Sequence, residues 1–117
     1  MCKAISEKLY SNYAETETGT KVVTVRYGNV LESTGSVIPY FKQLLKDGSD
    51  YLPITHSDMT RFLITLDDAV ELIHWAYNHP SSHGKIAVPK IKSMRMVDLA
   101  KCLIKKHSDN QNIELKI

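Results

Sequence analysis

Apolar positions along this chain recur first at helical spacing, then in short β-branched runs, and the switch repeats to the C-terminus. Ile5, Leu9 and Tyr13 fall every four residues while Lys3, Glu7 and Lys8 lie elsewhere on the wheel, which predicts a first helix over 1–14. A polar turn over 15–20, with Gly19, separates it from the run 21–27. There Val22, Val23 and Val25 do not alternate cleanly, so the run reads as a largely buried strand, ended by Gly28-Asn29. The polar stretch 32–36 leads into a second helix with Val37, Ile38, Phe41, Leu44 and Leu45 on one face. Pro39 falls in its first turn, where a missing N–H is tolerated, and Asp47-Gly48 closes it. Short extended segments are predicted over 52–55 and 61–64. Thr65-Leu66-Asp67-Asp68 resembles a capping box with Asp in the Glu position, and opens a third helix. Its expected buried face is Leu66, Ala69, Val70, Ile73, Ala76 and Tyr77, with Pro80 beyond its end. A strand over 86–88 follows. Ser93 is the expected cap of a last helix with Met96, Leu99, Ala100, Leu103 and Ile104 inward and Lys101, Lys105 and Lys106 outward. Residues 113–117 then alternate as a strand.

Helices alternating with strands predict an α/β fold with a mainly parallel sheet. The sequence has no Gly-rich strand-to-helix turn of the dinucleotide-binding kind. If the fold is Rossmann-like, its cofactor fingerprint lies outside these residues. Met1 opens directly into a helical pattern, and the last strand stops without a polar taper. Both ends are therefore expected to be cuts in a longer chain.

Composition narrows the classes. A chain of 117 residues holds one domain at most, and 43% hydrophobic with 24% charged residues is ordinary globular composition. A net charge of +2 argues for neither nucleic acid nor an anionic membrane as partner. No apolar run approaches the ~20 residues of a membrane span. The first residues carry Lys3, Glu7 and Lys8 where a signal peptide would be apolar. Cys2 and Cys102 suggest no disulfide framework, so a reducing cytoplasm is expected. His56, His74, His79, His83 and His107 show no metal-ligand spacing, and no metal is expected.

Three segments carry a family resemblance: Arg26-Tyr27-Gly28-Asn29-Val30 with Gly35-Ser36-Val37-Ile38-Pro39; Pro53-Ile54-Thr55 with the run from Met59 to Asp67; and Val88-Pro89-Lys90-Ile91 with Ser93-Met94. In this order and spacing they resemble the extended short-chain dehydrogenase/reductases. Within these, the chain is similar to the UDP-N-acetylglucosamine 4,6-dehydratases of bacterial surface-glycan synthesis, and its third segment to the inverting members, which also epimerise C5.

The resemblance implies the C-terminal portion of a Rossmann-like enzyme, an incomplete parallel sheet plus substrate-binding segments. Residues 1–30 would end the Rossmann core and 31–117 would be mainly substrate-binding. It implies that Lys3 matches the lysine of a catalytic Tyr-x-x-x-Lys pair, which also contacts the cofactor, with its tyrosine falling two positions before Met1. It implies Asn29, Ser36 and Arg61 as contacts of a UDP-sugar, NADP as cofactor of the complete enzyme but not of this fragment alone, and a homo-oligomeric complete enzyme. The fragment itself is expected to self-associate through an unpaired sheet edge and an uncovered apolar face. By residue type alone, Lys3 and Arg61 also read as solvated cations, Asn29 as a turn residue and Ser36 as a plain N-cap. Glu32 and Thr34 depart from the family pattern Gly-Ser-Arg-Gly-Ser, and an acid beside a diphosphate is unfavourable unless it points away. A non-catalytic remnant, a split-gene subunit and a UDP-sugar epimerase fragment are the alternatives.

Overall fold

The computed structural model describes residues 1–16 and 19–117; the predicted turn over 15–20 includes Glu17 and Thr18, which lie outside the described residues. The elements are α1 (Cys2–Ala14), β1 (Thr24–Val25), β2 (Asn29–Val30), α2 (Val37–Lys46), β3 (Tyr51–Pro53), β4 (Thr60–Ile64), α3 (Leu66–Asn78), β5 (Ile86–Ala87), β6 (Ser93–Arg95), α4 (Met96–His107) and β7 (Glu114–Lys116). β1 pairs with β5, β2 with β4 and β3 with β7, all in parallel, while β4 and β6 are antiparallel. The α/β class with mainly parallel pairing follows from the sequence as predicted. Two compact units form, one of Met1–Tyr27 with Thr65–Lys90 and one of Gly28–Ile64 with Ile91–Ile117.

The second unit holds the larger core. Ile38, Phe41 and Leu45 of α2 meet Met96, Leu99, Ala100, Leu103 and Ile104 of α4, with Leu52 and Ile54 completing the cluster. Phe41 is 2% exposed and Leu52 0%. Each large side chain so buried contributes about 1.5–3 kcal/mol. These are the positions that the helical periodicity predicts for α2 and α4, apart from Val37 and Leu44, which are partly buried against the same cluster. The sheet order in this unit is β2-β4-β6, with β3 and β7 as a separate pair.

The first unit sets α1 and α3 against the β1–β5 pair. Its buried residues are small: Ala14, Ala69, Ala76 and Ser82. The C-terminus of α3 is closed by polar groups. The Lys21 ammonium donates to Tyr77 O and His79 O, the latter at 2.8 Å. The Ser82 hydroxyl reaches Ala76 O at 2.5 Å. At the other end, Thr65 Oγ1 accepts from Asp68 N–H at 3.1 Å, the cap that the sequence predicts.

Three expectations need correction. The run 21–27 pairs only over Thr24–Val25, and beyond Gly28 the chain resumes as β2 beside a different strand. The β-branched run thus serves one ladder, and the next ladder starts only after Gly28. Ser93 does not cap α4: it pairs with Phe62 in the β4–β6 ladder, and Arg95 holds the N-cap position. An antiparallel partner offers that segment backbone hydrogen bonds which a cap would forgo. Of the apolar face predicted for α3, only Ala69 and Ala76 are buried, while Leu66, Val70, Ile73 and Tyr77 stay exposed. Periodicity marks which face is apolar but not how wide a layer covers it.

Candidate functional site

In the second unit, Asn29, Ser36 and Arg61 stand on adjoining elements. Asn29 is in register with Leu63, two positions along β4 from Arg61, so strand alternation puts Asn29 and Arg61 on one face. Gly28 makes this approach possible. A Cβ there would lie 2.4 Å from Phe62 O and 2.7 Å from Ile91 Cδ1, so no other residue fits without moving backbone. Arg61 is exposed, and its Nη1–H donates to its neighbour's carbonyl, Thr60 O, at 2.8 Å.

Ser36 holds the N-cap position of α2 with an extended backbone (φ −83°, ψ 169°). Its hydroxyl makes no capping bond, and among the described residues it is the buried side-chain polar atom with no hydrogen-bond partner. A serine N-cap accepts from the N–H of N2 or N3; Pro39 at N3 has none, and the hydroxyl does not take that of Ile38 at N2. Free N–H groups of the first turn and this hydroxyl together make a helix end suited to anions.

The loop before it carries Glu32 at φ 59° and Gly35 at φ 73°. Left-handed backbone at 32 accounts physically for the glycine that the family pattern has there. The Glu32 carboxylate pairs with the Lys42 ammonium on α2, and that hydrogen bond, ahead of the charge itself, holds its pKa below the usual range. Its charge is matched by a cation within the unit.

Lys3 lies in the first unit, exposed on the first turn of α1. It lines a groove of about 700 Å³ with Glu7, Tyr10, Arg26 and Tyr27. Across this groove Arg26 grips Glu7, and the hydrogen bond lowers the Glu7 pKa while the acid raises that of Arg26. Helical spacing sets Lys3 and Glu7 one turn apart in the sequence, but no local pattern names Arg26 as the acid's partner. Among the described residues, no three His, Cys, Asp or Glu side chains cluster as for a metal, and no helix is long and apolar enough to cross a membrane.

Comparison with known proteins agrees with this architecture. Over 104 residues the chain is 43% identical to the inverting UDP-N-acetylglucosamine 4,6-dehydratase of Campylobacter jejuni, covering 86% of this chain and 30% of the relative. It is 41% identical over 105 residues to a UDP-glucose 4-epimerase of Rickettsia rickettsii, covering 88% and 30%. Among solved structures, Pen from Bacillus thuringiensis superposes with a TM-score of 0.86 at 28% identity, covering 97% of this chain and 36% of that one. The DesIV dTDP-glucose 4,6-dehydratase of Streptomyces venezuelae shares the fold, with a TM-score of 0.81 at 22% identity over 98% of this chain and 36% of that one. The chain thus spans about a third of the length of such relatives. The profile of the family described as "Polysaccharide biosynthesis protein" matches residues 1–117, and the chain belongs to that family, within the extended short-chain dehydrogenase/reductases.

Proposed function

We propose that this chain carries the nucleotide-sugar cradle of a UDP-N-acetylglucosamine 4,6-dehydratase of surface-glycan synthesis, working in the cytoplasm. The observation that carries the reading is the unpartnered Ser36 hydroxyl at the N-terminus of α2. A diphosphate would supply the acceptor that this hydroxyl and the free N–H groups can use. Arg61 adds a guanidinium fork that matches phosphate oxygens, and Asn29 an amide toward the sugar side. The dehydratase chemistry rests on the 43% identity to the Campylobacter jejuni enzyme.

In such an enzyme C4 of the sugar is oxidised, water leaves across C5 and C6, and C6 is reduced, giving a 4-keto-6-deoxy sugar. NADP, when bound, would take up and return the hydride. Of the contacts such a dinucleotide needs, these residues offer Lys3; they contain no Gly-rich turn for its pyrophosphate. Lys3 would act electrostatically, its ammonium favouring the phenolate of a neighbouring tyrosine that takes the C4 hydroxyl proton.

Titrating the 15N-labelled chain with UDP tests the cradle. Amide shifts are expected over 28–37 and 60–62, with Ser36→Ala weakening binding about fivefold and Arg61→Ala about tenfold. Shifts confined to other segments, or none, would sink the reading. The chain alone is expected not to dehydrate UDP-N-acetylglucosamine; measured turnover would overturn the assignment of chemistry to a larger assembly. The identity to a UDP-glucose 4-epimerase favours an epimerase as second reading. Product analysis of the complete enzyme, dehydrated against merely inverted sugar, separates the two.

A further inference from the structure

Among the described residues of α1 only Ala14 is buried, so apolar burial holds this helix at its C-terminal end, away from Lys3. The same end carries a polar clamp. His83 Nδ1 accepts from Val22 N–H at 3.0 Å, so Nε2 holds the proton and donates to Ala14 O at 2.9 Å. The N-terminal half is tied differently. Arg26 Nε–H donates to Glu7 Oε2 at 2.6 Å and Nη2–H to Glu7 Oε1, a two-pronged bond of the kind only arginine makes.

Arg26 is pinned in turn, its backbone N–H donating to Ala87 O at 2.9 Å in the β1–β5 ladder. The Glu7 side chain is 19% exposed, against 59% for Arg26, so the acid is the enclosed partner. Lys3 lies four residues before Glu7, one turn along the same helix face, and both line one groove. A movement of α1 at Glu7 therefore carries Lys3 with it.

We propose that the Glu7–Arg26 fork positions Lys3, docking the N-terminal half of α1 on β1 so that the ammonium stands at the groove. This rests on Lys3 being the lysine of the proposed site. Hydrogen exchange on the full chain tests it. Glu7→Gln and Arg26→Lys should each reduce protection of amides 6–10 about fivefold while α4 keeps its own. The reversed pair, Glu7→Arg with Arg26→Glu, should restore it. Amine acylation read by mass spectrometry should change the Lys3-to-Lys8 labelling ratio about twofold in the single variants and return it in the reversed pair. Unchanged α1 protection in both single variants, or lost protection with an unchanged labelling ratio, would overturn the proposal. The UDP titration reports on the other unit, so a failed cradle leaves this result standing, and the converse.

Discussion

Glu32 holds a backbone conformation that L-residues rarely adopt, and it forms an ion pair from there. The two effects oppose each other, and substitution separates them. Glu32→Gly removes the backbone cost together with the Lys42 pair, an exposed one of small worth, and thermal unfolding should move up by about 2–5 °C. Glu32→Ala keeps that cost and loses Lys42, so it should unfold earlier than the native chain. A lower midpoint for the glycine variant than for the alanine would refute the strain argument. Gly28 presents the opposite case. Its φ is ordinary, but the added methyl of Gly28→Ala meets the Phe62 carbonyl, and urea unfolding should show a loss of about 2–3 kcal/mol. The sequence marked Gly28 as a strand end; only the packing of β4 against it shows that the requirement is space and not flexibility.

At the scale of elements, α1 and α2 are held by different forces. For α2 the force is burial, and Phe41→Ala should cost about 3–5 kcal/mol, enough to unfold the second unit in a chemical denaturation. For α1 it is polar contact, which makes the helix sensitive to acid. Hydrogen bonding to Arg26 lowers the folded pKa of Glu7 from its usual 4.5. The stability that it contributes is therefore present above that value, and is lost as pH falls through the lower, folded one. Amide protection in α1, corrected for intrinsic rates, should hold from neutrality to about pH 5 and fall below about pH 4.5, and Glu7→Gln should flatten this profile. A native profile already flat to lower pH would show that the fork does not hold the helix.

At the scale of the molecule, the first unit leaves apolar side chains uncovered. On α1 Leu9 is 63% exposed, and on α3 Val70 is 45% exposed. Apolar surface of this kind drives association. Sedimentation velocity should show self-association that grows with concentration, reduced by Leu9→Lys and by Val70→Lys; a monomer throughout would count against it. By itself the sequence determined the helices and their order, because the 3.6-residue period and the Thr65 cap are local signals that need no partner. It also determined the core faces of α2 and α4, whose apolar positions are buried in the cluster or, for Val37 and Leu44, partly buried against it. The tertiary structure alone decided which strands pair, that Ser93 joins a ladder, that Glu7 meets Arg26 across 19 positions, and that Ser36 keeps a free hydroxyl. Each of those depends on what a distant segment offers or withholds, and periodicity carries no record of the partner.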